Sequence, residues 1–336
     1  MPTGNAPAGD DDAGFSPRML ILMLCVALVW GLNWQVMKVA LREIPPVGFR
    51  AFTALASGAG LMLIACLMRQ PLRPPKGKWP VLILLAITNI TGWNILSIYG
   101  ILLLPSGRAA LLAYTMPMWS ILLSALWLGN PLTLRRLAGM LLGTAGVSAM
   151  MGAELASIAG APWGVALMVG AAFVWALGLV SIKRFPVVMP TLTFSGWLML
   201  LGGAMSLPFT LFEDISPWWH LSFWPLFAVL YNVFVSLMFC TWAWYSIVRH
   251  LPVAVSSLSS LIVPLIGVAG GILLLDEQLS RAEWAGMACI LGAVATVVLP
   301  ARVQKTVSED RGQKIVSEER GQKIVSEDRG QKIEDR

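Results

Sequence analysis

The residues of this chain that could bind a solute are aromatic or neutral polar, and they lie inside long apolar runs. Amide and hydroxyl groups can pair with the ammonium and carboxylate of a zwitterion without the desolvation cost of a buried ion. Aromatic faces can hold an apolar or cationic group. These properties predict a binding site within the apolar segments. Its candidate residues are Trp30, Asn33, Trp34, Trp93, Asn94, Tyr99, Tyr114, Trp175, Tyr231, Trp242, Ser256 and Ser260.

Each of these residue types also has a structural use, so both interpretations stay open at this point. Tryptophans anchor membrane spans at the interface or pack between helices, and asparagines join helices by hydrogen bonds. Ser256 and Ser260 belong to a serine run that forms either a close-packing face or the wall of a polar cavity.

The groups needed for catalysis or metal binding are missing from the apolar runs. The acidic residues fall at the ends of these runs or in loops, His220 and His250 lie near boundaries, and the four cysteines are far apart. A proton-coupled drug pump usually uses a buried carboxylate, and an intramembrane protease needs a Ser/His pair or two aspartates at depth. We therefore expect no enzymatic activity, no metal site and no cofactor.

The overall composition indicates a membrane protein. Of the 336 residues, 57% are hydrophobic and 12% are charged, whereas a soluble domain has about 25% charged residues. The mean hydropathy is +0.73. A soluble fold could not bury this much apolar surface, which excludes a cytosolic enzyme, a nucleic-acid binder and a secreted disulfide scaffold.

The apolar runs predict an all-α polytopic membrane protein with ten transmembrane helices. A helix needs about 20 apolar residues to cross the hydrocarbon core, and ten windows are long enough. They are, approximately, 19–38, 47–68, 79–100, 107–129, 134–153, 162–182, 191–212, 223–247, 253–275 and 281–300.

The positive charges predict that both termini are cytoplasmic. With that orientation, the cytoplasmic loops carry most of the Lys and Arg residues. The opposite side carries fewer: Lys38, Arg42, Arg50, Arg108 and Arg281. Only boundary cations are therefore expected, and the central passage is predicted to be almost free of ions.

The sequence repeats itself without gaps. One spacing carries Leu104-Pro105 onto Leu251-Pro252 and Pro117 onto Pro264, and a similar spacing carries Trp30 onto Trp175. Because each half holds five spans, an odd number, the two halves must have opposite orientations in the membrane. Inverted repeats of this kind are typical of transporters that work by alternating access. Pro117 and Pro264 are candidate hinges, since a proline within a helix bends its axis; a static bend is the alternative.

These features divide the chain into four regions. They are a polar cytoplasmic arm (1–18), a first five-helix repeat (19–153), a second, inverted repeat (154–300) and a cytoplasmic tail (301–336). The tail repeats a nine-residue unit with balanced charge, V-S-E-D/E-R-G-Q-K-I, and we interpret it as a solvated appendage.

Several loose motifs resemble the EamA-type branch of the drug/metabolite transporter superfamily. They are Trp30-Gly31-x-Asn33, Pro46 followed by Arg50, the paired Pro117 and Pro264, and Leu275-Asp276-Glu277-x-Leu279 leading to Gly286. The resemblance covers roughly residues 19–300. One departure is Asn130, which stands where the family often has Glu.

Within this superfamily the sequence is most similar to bacterial YddG-type amino acid exporters. The resemblance implies a central cavity, lined by helices 1–4 and 6–9, and export of aromatic and other neutral amino acids across the inner membrane. Because no carboxylate is buried, we expect facilitated export without obligatory proton coupling. Export of amphipathic drugs or other metabolites is the alternative. The partners expected are the small-molecule substrate and membrane lipid; a monomer is possible.

Overall fold

The computed structural model describes residues 17–104, 112–151, 161–214, 218, 220–263, 266 and 281–298, and every regular element in this part of the chain is helical. The α-helices in chain order are α1 (Pro17–Ala40), α2 (Pro46–Leu67), α3 (Trp79–Ala86), α4 (Gly92–Leu103), α5 (Met116–Leu128), α6 (Leu134–Met151), α7 (Pro162–Arg184), α8 (Thr191–Thr210), α9 (Phe223–Tyr231), α10 (Cys240–His250), α11 (Val253–Ser259) and α12 (Arg281–Val298). Two π-helical segments interrupt this series. We name them π1 (Ile87–Thr91, between α3 and α4) and π2 (Asn232–Phe239, between α9 and α10).

Proline and glycine set several helix boundaries. Helices α2, α3, α5 and α7 each have a proline in their first turn, where its missing N–H leaves no helix hydrogen bond unmade. Helix α5 ends at Gly129, whose φ of 69° is left-handed, a conformation that glycine adopts without strain.

Five helical stretches are long and apolar enough to cross a membrane. They are Pro46–Leu67, Trp79–Leu103, Pro162–Arg184, Thr191–Thr210 and Phe223–His250. Pro17–Asn33, Met116–Leu128 and Trp284–Ala293 are shorter apolar helices. The protein is therefore a multi-pass helical membrane protein, as its composition predicts, while the count of ten spans remains a prediction.

The helix packing has the pattern that two related copies produce. Helix α2 packs against its counterpart α8, and α6 packs against its counterpart α12. The contact of α4 with α7 is matched by that of α10 with α1. Helix caps match too: Pro45 before α2 has φ −58° and ψ 135°, and Pro190 before α8 has φ −56° and ψ 143°.

Glycines let α2 and α8 approach closely along this packing. A Cβ atom added to Gly58 would lie 2.8 Å from the backbone nitrogen of Leu200, and one on Gly196 would lie 2.9 Å from the side chain of Met62. Small residues at such contacts allow helix backbones to pack tightly in a membrane, where no hydrophobic force joins them.

The hinge role of Pro117 stays a prediction, but its position in the helix differs from the one expected. This residue lies in the first turn of α5, directly after a turn at Tyr114 and Thr115, and not in the middle of a continuous helix. A proline fits this position because the first helical N–H groups have no intrahelical partner. Pro264, residues 1–16 and the tail lie outside the described residues, and the boundaries of the four predicted regions stay predictions.

Candidate substrate cavity

A cavity of about 130 Å³ lies between the two sequence repeats. Its walls come from α1, α2, π1, α4 and the turn before α5 in the first repeat, and from α7, α8, π2, α10 and the segment after α11 in the second. A site built from both copies can change shape when the copies move relative to each other.

Four tryptophans form one side of this cavity, and we call them the Trp cluster: Trp30, Trp93, Trp175 and Trp244. Trp175 lies at the centre, with its ring centroid 4.8 Å from that of Trp93, 5.9 Å from that of Trp244 and 6.3 Å from that of Trp30. The rings are tilted or edge-on, arrangements that aromatic pairs prefer. The cluster gives the cavity a broad apolar and π-rich wall.

The two π segments occupy equivalent positions in the repeats and border the cavity. The spacing that carries Trp30 onto Trp175 also carries Ile87, the first residue of π1, onto Asn232, the first residue of π2. Such segments release carbonyl groups from regular helix bonding and are frequent at functional sites. In π2, the carbonyl of Ser236 accepts a hydrogen bond of 3.1 Å from Nε1 of Trp30.

The neutral polar side chains of the cavity are held in different ways. Asn89 donates from Nδ2 to the carbonyl of Leu85 at 2.9 Å, and the hydroxyl of Ser260 donates to the carbonyl of Ser257 at 2.6 Å. Asn33 is buried, and its Oδ1 has no hydrogen-bond partner among the described residues. This amide oxygen is therefore available to accept a bond from a bound solute.

The structure brings seven of the predicted site residues to the cavity. They are Trp30, Asn33, Trp93, Asn94, Tyr114, Trp175 and Ser260. All seven are buried or half-buried. The side chain of Trp34 lies outside the described residues.

Four predicted residues do not line the cavity. Tyr99 is 37% exposed, which fits a lipid-facing position. Tyr231 donates its hydroxyl to the carbonyl of Val29 at 3.3 Å, and Trp242 packs against Phe239. Ser256 is buried off the cavity. The position of a residue along its helix determines whether its side chain faces the cavity. Successive residues point in directions about 100° apart around the helix axis.

Arg50 is the main cavity residue that the sequence analysis did not select as a site residue. It was assigned to the outer boundary, but α2 begins at Pro46, so Arg50 lies one turn inside the helix, with only 9% of its surface exposed. It lines the cavity. The cavity, expected to be almost free of ions, therefore contains one buried cation near the start of α2.

Two carboxylates join the repeats at the end of the bundle where the α1–α2 and α8–α9 loops meet. We call this the α1–α2 end; the charge pattern predicts that it faces the periplasm. Glu213 accepts hydrogen bonds from the backbone N–H groups of Val47 at 2.8 Å and Gly48 at 2.6 Å. Glu43 accepts from the N–H of Ser222 at 2.9 Å and from its hydroxyl at 2.5 Å. These contacts tie the first repeat to the second beside the cavity.

Both repeats match a known family of membrane transporters. Residues 17–152 and 162–299 each fit the model of the EamA-like transporter family. The chain belongs to the EamA-like transporter family. The duplicated helix packing around one cavity is thus the EamA architecture of this chain, and the resemblance stated from the sequence motifs is confirmed.

Relatives of this EamA chain are bacterial transporters. It is 27% identical over 302 residues to "Uncharacterized transporter YvbV" of Bacillus subtilis, covering 87% of this chain and 95% of that protein. It is 25% identical over 318 residues to "Probable amino-acid metabolite efflux pump" of Escherichia coli, covering 85% and 97%. A solved crystal structure shares the fold, with a TM-score of 0.69 and 23% identity over 85% of this chain and 99% of that one. The protein is therefore a transmembrane transporter.

Proposed function

We propose that this transporter exports amino acids, aromatic and other neutral ones, across the bacterial inner membrane by alternating access, with both termini cytoplasmic. The observation that carries the proposal is the cavity built from both repeats, with the Trp cluster on one side and amide and hydroxyl groups around it. Such walls suit a solute with a polar head and an apolar side chain.

The cavity size supports a substrate of amino-acid dimensions. A cavity needs about 10–15 Å³ to hold one buried water molecule. The cavity of about 130 Å³ therefore accommodates on the order of ten non-hydrogen atoms. Leucine and phenylalanine are of this size. The name of the Escherichia coli relative, an amino-acid metabolite efflux pump, agrees with this substrate class.

The same cavity supports transport without proton coupling. No Asp or Glu is among the described residues that line it, so no carboxylate there can exchange a proton for the substrate. Because one chain supplies all these walls, we propose that the monomer is sufficient for transport.

The test is counterflow in proteoliposomes that contain the purified protein. Labelled amino acids are offered outside vesicles loaded with the same unlabelled amino acid, with and without a pH gradient. Uptake of neutral amino acids at equal rates in both conditions is expected. Absence of counterflow for every amino acid would overturn the proposed substrate class, and strict dependence on the gradient would overturn the uncoupled mechanism.

Export of amphipathic drugs is the alternative, since the Trp cluster could also hold a cationic aromatic compound. Benzyltrimethylammonium is a suitable competitor because it carries a permanent charge and no carboxylate. Inhibition of amino acid counterflow at the concentration of the amino acid itself would favour the drug exporter.

A further inference from the structure

Arg50 is a buried cation without a partner in the part of the chain that the structure describes. Its Nε is inaccessible and makes no hydrogen bond. No described carboxylate lies within 4.0 Å of its guanidinium, and no other contact of its side chain with a polar group is present there. A buried charge is costly unless it is paired and hydrogen-bonded, and the described residues leave the charge of Arg50 uncompensated.

Two acidic groups at this end of the bundle are hydrogen-bonded to residues other than Arg50. Glu213 accepts from the N–H groups of Val47 and Gly48, and Glu43 accepts from Ser222. Neither forms an ion pair with Arg50. The guanidinium of Arg50 is therefore available to a ligand in the cavity. It has five N–H donors in a planar arrangement that matches the geometry of a carboxylate.

The positive charge is present in only one repeat. The spacing that carries Trp30 onto Trp175 carries Arg50 onto Ser195. Ser195 is buried and donates its hydroxyl to the carbonyl of Thr191 at 2.8 Å. The cavity is thus polarised, with its cation at the α1–α2 end of the first repeat and the Trp cluster farther along the helices.

We propose that Arg50 binds the carboxylate of the substrate, so that the transporter requires an amphipathic solute with an acidic group. The inference rests on the proposed function in one respect, that this cavity is the substrate site. The carboxylate neutralises the guanidinium, the apolar side chain contacts the Trp cluster, and the free Oδ1 of Asn33 accepts from the ammonium of an amino acid. A neutral amide in place of the carboxylate leaves the buried charge uncompensated and is rejected.

The first experiment uses the wild-type protein and three compounds with one side chain: leucine, leucinamide and 4-methylpentanoate. Each competes with labelled leucine in counterflow. Leucine and 4-methylpentanoate are expected to inhibit at concentrations at least about tenfold lower than leucinamide, because hydrogen bonds to a charged group are stronger than neutral ones. Equal inhibition by leucinamide overturns the inference while leaving amino acid export intact.

The second experiment substitutes Arg50 and compares it with a matched arginine. Arg50→Gln and Arg50→Met are expected to lose the preference for the acid over the amide, and Arg50→Lys is expected to keep part of it. Arg42→Gln removes an exposed arginine near the same end and should keep the full preference. An Arg50→Met protein that still prefers leucine at least about tenfold contradicts the proposal.

Thermal unfolding in detergent separates ligand binding from a structural role. The substitution Arg50→Met removes a buried charge and breaks no polar contact with the described residues. Without ligand, the variant should therefore have a melting temperature equal to or above that of wild type. Wild type should be stabilised by 4-methylpentanoate, and Arg50→Met should not. A lower melting temperature for the variant together with an unchanged shift by 4-methylpentanoate identifies Arg50 as structural.

The thermal shifts also keep the two proposals distinguishable. If no amino acid shows counterflow but 4-methylpentanoate stabilises wild type and not Arg50→Met, the amino acid function is wrong and the carboxylate site stands. If amino acids are exported and neither acid shifts the melting temperature more than leucinamide, the carboxylate site is wrong and the function stands.

Discussion

Trp30 shows, at the scale of a single residue, how one side chain both lines the cavity and joins the two repeats. Its ring lies against Trp175 and Trp244, and its Nε1 donates to the carbonyl of Ser236 in π2. The side chain therefore belongs to the cavity wall and also connects α1 to the second repeat. The packing interpretation of this tryptophan is confirmed, and its role in substrate binding stays a prediction.

Substitutions of Trp30 separate these two contributions. Trp30→Phe keeps an aromatic ring but loses the bond to Ser236, which contributes about 0.5–1.5 kcal/mol; we expect a two- to tenfold fall in counterflow rate, roughly. Trp30→Ala removes the ring and should reduce transport by at least about tenfold. Counterflow normalised to protein amount measures both.

Trp197 supplies the matched control for this series. Its Nε1 donates to the carbonyl of Leu72 at 2.8 Å, between different elements, but it does not line the cavity. Trp197→Phe should lower the melting temperature and leave the KM for leucine unchanged. An equal rise in KM for both Phe variants would assign the effect of Trp30 to packing alone.

Residue types alone identify part of the site, and two residues show where the limit lies. Trp175 could be selected from the sequence because it lies within a long apolar run at the position that matches Trp30, although Trp242, also selected within an apolar run, does not line the cavity. Arg50 could not be selected in this way. If α2 started later in the sequence, an arginine four residues after Pro46 would lie at the lipid headgroups. The helix start and the direction of the side chain, set by packing with α8, decide between these positions.

At the scale of elements, the start of α2 is completed by the other repeat. The N-cap residue Pro45 offers no side-chain cap, and Glu213 after α8 accepts from Val47 and Gly48 in its place. Gly48 leaves room for this carboxylate, since a Cβ atom there would lie 3.3 Å from Oε2 of Glu213. A negative charge at a helix N-terminus also interacts favourably with the helix dipole.

Substitutions of Glu213 should destabilise the protein in a graded order. Glu213→Gln keeps one acceptor but loses the charge, and Glu213→Ala loses both, at a cost of about 0.5–2 kcal/mol for a missing cap. We expect melting temperatures in the order wild type, Glu213→Gln, Glu213→Ala, measured in detergent. Arg42→Gln is the control for loss of charge at this end, and a melting temperature of Glu213→Ala equal to that of wild type would show that the cap contributes no stability.

The neighbouring contact of Glu43 predicts a defined pH dependence. The hydrogen bond from the hydroxyl of Ser222, and to a smaller extent the bond from its N–H, lower the pKa of Glu43. The ionised form of Glu43 is therefore favoured in the folded state. Its stabilising effect is present above the ordinary pKa of a glutamate and is lost as the pH falls through the lowered one. The contact therefore persists at neutral pH.

The variant Glu43→Gln tests whether the stabilisation by ionised Glu43 is lost on acidification. The difference in melting temperature between wild type and Glu43→Gln should be constant from about pH 6 to about pH 8 and shrink below about pH 4, where Glu43 becomes protonated and uncharged. A difference that grows on acidification would contradict the assignment. Arg42→Gln, measured over the same range, controls for general charge effects at this end.

The helices themselves could be predicted from the sequence more completely than their irregularities. Long apolar runs and proline positions predict α2, α7 and α8 closely, because twenty apolar residues in lipid have to form a helix. Nothing in the runs around Asn89 or Ser236 indicates a π segment. The extra residue per turn is stabilised by contacts from other elements, such as the hydroxyl of Ser57, which donates to the carbonyl of Val233 at 3.0 Å.

At the scale of the whole molecule, the equivalent pairs of helices suggest how access to the cavity could alternate. Contacts of α2 with α8 and of α6 with α12 join matching elements, so the repeats could exchange conformations while these contacts are kept. The tie between Glu43 and Ser222 at the α1–α2 end would then have to open in each cycle. Transport should therefore stop if this end is held closed.

A reversible cross-link between Glu43→Cys and Ser222→Cys tests this requirement. The two side chains are within hydrogen-bonding distance, which a short bifunctional methanethiosulfonate reagent can span. We expect the reagent to abolish leucine counterflow in the double variant and dithiothreitol to restore it. Each single cysteine variant controls for labelling of the introduced thiol and of the native cysteines. Full counterflow in the cross-linked protein would show that this end does not open, and would contradict alternating access through an opening between Glu43 and Ser222.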